Sequence, residues 1–189
     1  MTLMLLSGPA SEPLTLADVK NWLKVTDGAD DLLLQSLIAS ARLSVEAATG
    51  RLLITQQWRL TLDAWPPGLT LNLPLSPVRS ILQARVMDAG GAFKPVAPGL
   101  LTLDAGEERA RLLWSAPPPA PACVFGGVQI DLVAGYGDLA SAVPEPLRLA
   151  MRQLIAFWHA NRGDADPAPE RLPAPVCALL APYRVRRLA

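Results

Sequence analysis

The chain has 189 residues, 51% of them hydrophobic, and its 17 basic and 17 acidic residues leave no net charge at neutral pH. That length suits one domain with room for an insertion, and the apolar content is enough to bury a core. Nothing in this balanced charge implies nucleic acid or an anionic membrane as the main partner. A charged fraction of only 18% is also what a subunit shows when other chains cover much of its surface.

Met1 to Leu6 is apolar but too short for a signal peptide, and it lacks a basic leading region. Ser7 to Pro13 reads as a Gly/Pro/Ser entry segment. Thr15 then offers a helix cap, with Asp18 at the third helical position. Leu16, Val19, Trp22 and Leu23 follow at helical spacing, and this first helix stops near Thr26-Asp27-Gly28. A second helix starts at Asp30 or Asp31 and carries the stripe Leu33, Leu34, Leu37, Ile38, Ala41, Val45 and Ala48, with Gly50 as its C-terminal cap. The period changes to two from Ile54 to Trp65, the mark of a half-buried strand. Short strands follow at Leu69–Leu73, Ser80–Met87, Ala92–Val96, Leu100–Leu103, Ala110–Trp114 and Val128–Ala134. Asp88 to Gly91 reads as a hairpin turn between two of them. Helical spacing returns at Val143, with Leu147, Met151, Leu154, Ile155 and Trp158 as its stripe. Asp164 to Pro175 is a linker, Val176 to Leu180 a short helix stopped by Pro182, and Tyr183 to Ala189 a tail with three arginines and no acid.

This order predicts an α+β fold within a single domain, residues 1–189. A small helical bundle (14–50 and 143–163) holds an inserted antiparallel β-rich lobe (52–137). Residues 164–189 supply a linker, a short helix and an extended C-terminal tail. Trp22 and Trp158 fall on helical stripes and are expected in the core.

Chemistry is scarce. Cys123 and Cys177 match neither a metal spacing nor a disulfide framework, so a reducing, cytosolic origin is expected. His159 is the only histidine. A Cys123/His159 hydrolase would need an orienting acid as well, and packing roles explain both residues more simply. No metal ligand set, phosphate loop or cofactor motif can be assembled. The pair Asp30-Asp31 reads as a helix cap and Glu107-Glu108 as a solvated loop. Trp58, Trp65 and Trp114 could form a stacking face, but core or interface packing is the simpler reading. No run approaches the roughly 20 apolar residues of a membrane span, so a soluble, unexported protein is expected.

The tail has two readings. One is a solvated end. The other is a docking peptide, because Tyr183, Val185 and Leu188 alternate with Arg184, Arg186 and Arg187. An extended strand would put apolar and charged groups on different sides. Its apolar surface is too small for it to fold alone, so order is expected only on docking.

Glu12 to Val25, Asp30-Asp31, Leu37 to Arg42, Val45 to Arg51 and Leu53 to Pro66 together resemble tailed-phage head–tail connector (adaptor) proteins. Leu73-Pro74, Pro77-Val78, Val133 to Gly137, Val143 to Arg148 and Trp158 to Arg162 fit the same pattern. Leu179 to Leu188 is similar to the adaptors of gene transfer agents, phage-like particles made by bacteria. The resemblance implies a structural protein without a catalytic site or cofactor. It implies a ring, expected to be twelve-fold, between the portal and a tail-side stopper or terminator. DNA would pass through the ring without specific binding, and no membrane would be involved. The subunit would be assembled in the bacterial cytoplasm and end in the particle neck. The resemblance also favours docking of Tyr183, Arg184, Val185, Arg186, Arg187 and Leu188 to the portal. Another neck ring, the stopper or terminator, is the alternative, though such proteins are more β-dominated.

Overall fold

The computed structural model describes residues 1–106, 110–161 and 172–185. They form two compact units, each built from separate stretches of chain. A sheet unit comprises residues 1–9 and 55–136, and a helical unit comprises residues 10–54 and those from 137 onward. The mixture is the expected α+β class, and a strand at Thr2–Ser7 precedes the first helix.

The helical unit contains α1 (Leu16–Leu23), α2 (Asp31–Thr49), α3 (Glu145–Ala160) and α4 (Ala174–Leu180). At the start of α1 the Thr15 hydroxyl accepts the Asp18 amide at 3.1 Å, and the Asp18 carboxylate accepts the Thr15 amide at 3.0 Å. Two orphan donors of the first turn are thus satisfied reciprocally. Helix α2 ends on Gly50, whose φ of 71° is left-handed, as expected for a glycine cap. Val19, Leu34, Ile38, Val45, Leu147 and Leu154 are among the fully enclosed side chains of this bundle. Helix α3 starts one residue after Pro144. Helix α4 continues into a tight turn, Ala181–Tyr183, that contains Pro182.

Trp22 departs from expectation. It is 47% exposed, because it stands at the margin of a stripe on a helix of only eight residues. The Arg152 guanidinium lies over its ring, 6.0 Å from the centroid, an attraction that partly shelters the indole. Trp158 is only half-buried. Asp30 also departs from its expected part. Its backbone (φ −96°, ψ 4°) is not the extended form a capping residue needs. Its carboxylate instead meets His159 Nε2 at 2.9 Å, and Asp31 binds Lys20 Nζ at 2.6 Å.

The sheet unit holds two antiparallel sheets. The larger runs β1 (Thr2–Ser7), β2 (Gln56–Leu62), β8 (Val128–Ala134), β4 (Val78–Met87) and β5 (Phe93–Pro95). The smaller runs β3 (Thr70–Asn72), β7 (Ala110–Trp114) and β6 (Leu101–Ala105). In β8 the alternate residues Val128, Ile130, Leu132 and Ala134 are buried. Across the ladder Leu60 faces Ile130 and Leu62 faces Val128, so the apolar face is continuous between strands. The Asp88–Gly91 hairpin forms as expected: Asp88 N–H reaches the Ala92 carbonyl, and the Asp88 carboxylate takes the Gly90 and Ala92 amides.

Strand β1 carries no local signal of its own. Six residues are too few to show a period, and their partner β2 lies more than fifty positions away (Thr2 opposite Thr61). Only tertiary pairing turns this apolar run into a strand. Among the described residues no helix is long and apolar enough to cross a membrane.

Candidate functional site

The tail leaves the helical unit through α4. Val176 and Leu180 are enclosed, at 1% and 0% exposure, so the helix is held by burial of its apolar side. After the turn at Ala181–Tyr183 the chain extends at Arg184 (φ −65°, ψ 123°). Two hydrogen bonds then tie it to the end of α2. Arg51 Nε–H donates to the Tyr183 carbonyl at 2.7 Å. Val185 N–H donates to the Thr49 carbonyl at 2.9 Å. Thr49 belongs to the last turn of α2, where carbonyls lack partners within the helix, so the tail supplies part of the C-cap. The Thr49 hydroxyl donates to the Val45 carbonyl at 2.7 Å and accepts the Arg51 amide at 3.2 Å.

Gly50 sits at the centre of this contact. Its left-handed backbone turns the chain out of α2, and a Cβ added there would lie 3.6 Å from Val185 Cβ. The added Cβ would make only ordinary contact with Val185, so it is the left-handed backbone that asks for glycine here. A buried charge network braces the same helix. Arg42 bonds Glu12 at 2.8 Å and Glu46 at 3.1 Å, and the other Glu46 oxygen takes the Leu53 amide at 2.9 Å. Burial pushes the Glu46 carboxyl above its ordinary value, and the Leu53 amide and Arg42 oppose that rise.

The expected alternation is present where the tail is described. Tyr183 and Val185 are half-buried, and Arg184 is exposed. Arg186, Arg187 and Leu188 lie outside the described residues. Order at Tyr183–Val185 comes from main-chain bonds rather than apolar burial, so composition did not forecast it. Sequence reasoning missed Thr49 and Arg51 and saw Gly50 only as a helix cap. The signal available was a Gly-Arg pair directly after a strong helical stripe.

The other sequence candidates do not assemble a site. Cys123 Sγ donates to the Phe125 carbonyl at 3.3 Å, and His159 pairs with Asp30. Glu107 and Glu108 lie outside the described residues. Trp65 and Trp114 meet edge to face, centroids 5.5 Å apart. They line a cleft of about 250 Å³ with Pro66, Leu69 and Pro117. Both indole N–H groups are already used, by the Pro119 and Gly68 carbonyls at 3.0 and 3.1 Å. The cleft therefore offers no indole donor to a sugar or base, which agrees with a packing role. Among the described residues no cluster of three or more His, Cys, Asp or Glu could hold a metal.

The family model of phage gp6-like head-tail connector proteins matches residues 13–84. A chain in the virion of a native gene transfer agent particle is 31% identical, with a TM-score of 0.85, over 100% of this chain and 98% of that one. The chain belongs to the head-tail connector family. A chain in the neck of an empty gene transfer agent particle, computed with C6 symmetry, is 30% identical, with a TM-score of 0.84 and the same coverage. In the neck of a native particle, computed with C12 symmetry, the figures are 29% and 0.79. No curated protein matches this chain. Membership makes it a structural protein and not an enzyme.

Proposed function

We propose that this chain is the head–tail adaptor of a gene transfer agent or related phage-like particle. Copies form a closed ring, expected to be twelve-fold, between the portal and a tail-side stopper or terminator, with a bore for DNA. In a ring of one rotational sense each subunit presents two different side surfaces to its neighbours. The subunit is assembled in the bacterial cytoplasm and ends in the particle neck. The C-terminal tail, Tyr183 to Leu188, reaches the portal. The observation that carries this reading is the match along the whole chain to proteins of particle necks. The match covers 100% of this chain and 98% of the neck chains, which supports a shared fold along the whole length.

Truncation after Pro182 tests it in a particle-producing host. The expected outcome is folded subunits and filled heads that fail to join tails. Normal joining would remove the tail's docking role. Density for this chain away from the portal in a particle reconstruction would favour another neck ring instead.

A further inference from the structure

We infer that Thr49, Gly50 and Arg51 are positioning residues for docking: they hold Tyr183–Val185 as a fixed root, leaving contact with the portal to begin at Arg186. This rests on the tail-docking reading and divides the tail into two parts with different work.

Four observations carry it. Tyr183 and Val185 are half-buried on their own chain, so their apolar groups are not wholly free for a partner. Their backbone bonds go to residues leaving α2, the Arg51–Tyr183 bond spanning 132 positions. Such a long closure does not arise from local preference. Arg51 is only 7% exposed, and its Nε–H is aimed at the Tyr183 carbonyl, a contact that places backbone. Finally, α4 is anchored by Val176 and Leu180 immediately before the turn. The root is thus held on both sides, by burial at α4 and by hydrogen bonds at Thr49 and Arg51.

A fixed root reduces the freedom lost when the distal residues dock, and it sets the direction in which they leave the helical unit. In a ring the effect recurs at every copy. Each subunit engages a portal to which the others are already attached, so a small change per subunit is multiplied.

The experiment compares four full-length or truncated chains for binding to purified portal, with hydrogen exchange at Val185 as a second readout. Arg51→Ala removes the bond to the Tyr183 carbonyl. Val185→Pro removes the other donor from an extended end, where Arg184 already has the backbone a proline requires of its predecessor. Arg51→Lys keeps a donor. Truncation after Val185 keeps the root and removes the distal residues. Expected are about tenfold weaker portal binding for Arg51→Ala and Val185→Pro, the factor carried by one hydrogen bond, and partial rescue by Arg51→Lys. Exchange at Val185 should rise in Arg51→Ala while amides of α2 and α3 stay protected. Truncation after Val185 should abolish binding. Wild-type binding by both point variants, or unchanged Val185 protection in Arg51→Ala, overturns the positioning role. Wild-type binding by the truncated chain overturns the docking reading itself, and the exchange data would still report on the root.

Discussion

Asp131 offers the sharpest test of what holds the sheet unit together. It lies in the central strand β8 with its side chain 4% exposed. Arg59 from β2 grips it with two bonds of 2.7 and 2.9 Å, and Gln83 from β4 adds one of 2.8 Å. Arg85 stands 3.7 Å away. One carboxylate therefore joins the three middle strands of the larger sheet. Asp131→Asn keeps the shape but removes the charge, and its amide turns a donor toward donors. Breaking a buried pair by removing one partner costs about 3–5 kcal/mol. Arg59 and Arg85 keep 22% and 26% side-chain exposure and can rehydrate, so a smaller loss of about 2–3 kcal/mol is expected. Urea unfolding of the two proteins measures it.

The pH dependence supplies the sign. The Arg59 hydrogen bonds hold the Asp131 carboxyl below its ordinary value, against the opposing effect of burial, and Gln83 and the charges of Arg59 and Arg85 assist. A group depressed in the folded state contributes its stability fully above its unfolded value, about 3.9. That contribution disappears as pH falls through the lower folded value. The gap between wild type and Asp131→Asn should therefore be constant near neutrality and shrink below about pH 4. A gap under about 0.5 kcal/mol at pH 7, the scatter of ordinary surface changes, would refute the account. So would a gap that does not respond to acid.

Two further outcomes follow from packing. Gly127→Ala places a Cβ 2.4 Å from Pro121 Cβ and 2.8 Å from Cys123 Sγ. The β7–β8 loop must shift, and a loss of about 1–3 kcal/mol is expected by thermal or urea unfolding. Leu180→Ala empties a fully enclosed position on α4. A loss of about 2–4 kcal/mol is expected, together with faster hydrogen exchange at Val185, since α4 carries the tail root.

Much of the secondary structure could be read locally. The Thr15–Asp18 cap, the α2 stripe and its Gly50 end, the Asp88–Gly91 hairpin, and strands Ala110–Trp114 and Val128–Ala134 all depend on residues within a few positions of one another. The resemblance added the family, because its motifs recur along nearly the whole chain. Strand β1 was not legible, since it exists only where β2 provides an edge. Trp22 misled because helical spacing reports a face and not what covers it. The pairing of Asp131 with Arg59 joins positions 72 apart in sequence, and no period records it.

By itself the sequence determined the local elements, the balanced charge and the character of the tail: arginines alternating with apolar anchors. Those properties reside in single residues and short spacings. Tertiary structure alone decided that residues 1–9 belong to the sheet unit, that Asp131 stitches three strands, and that the tail starts from a seat on Thr49, Gly50 and Arg51. Each requires closing a long loop so that distant polar groups meet at hydrogen-bonding distance. The entropy of that closure is offset only by the cooperative burial of both units.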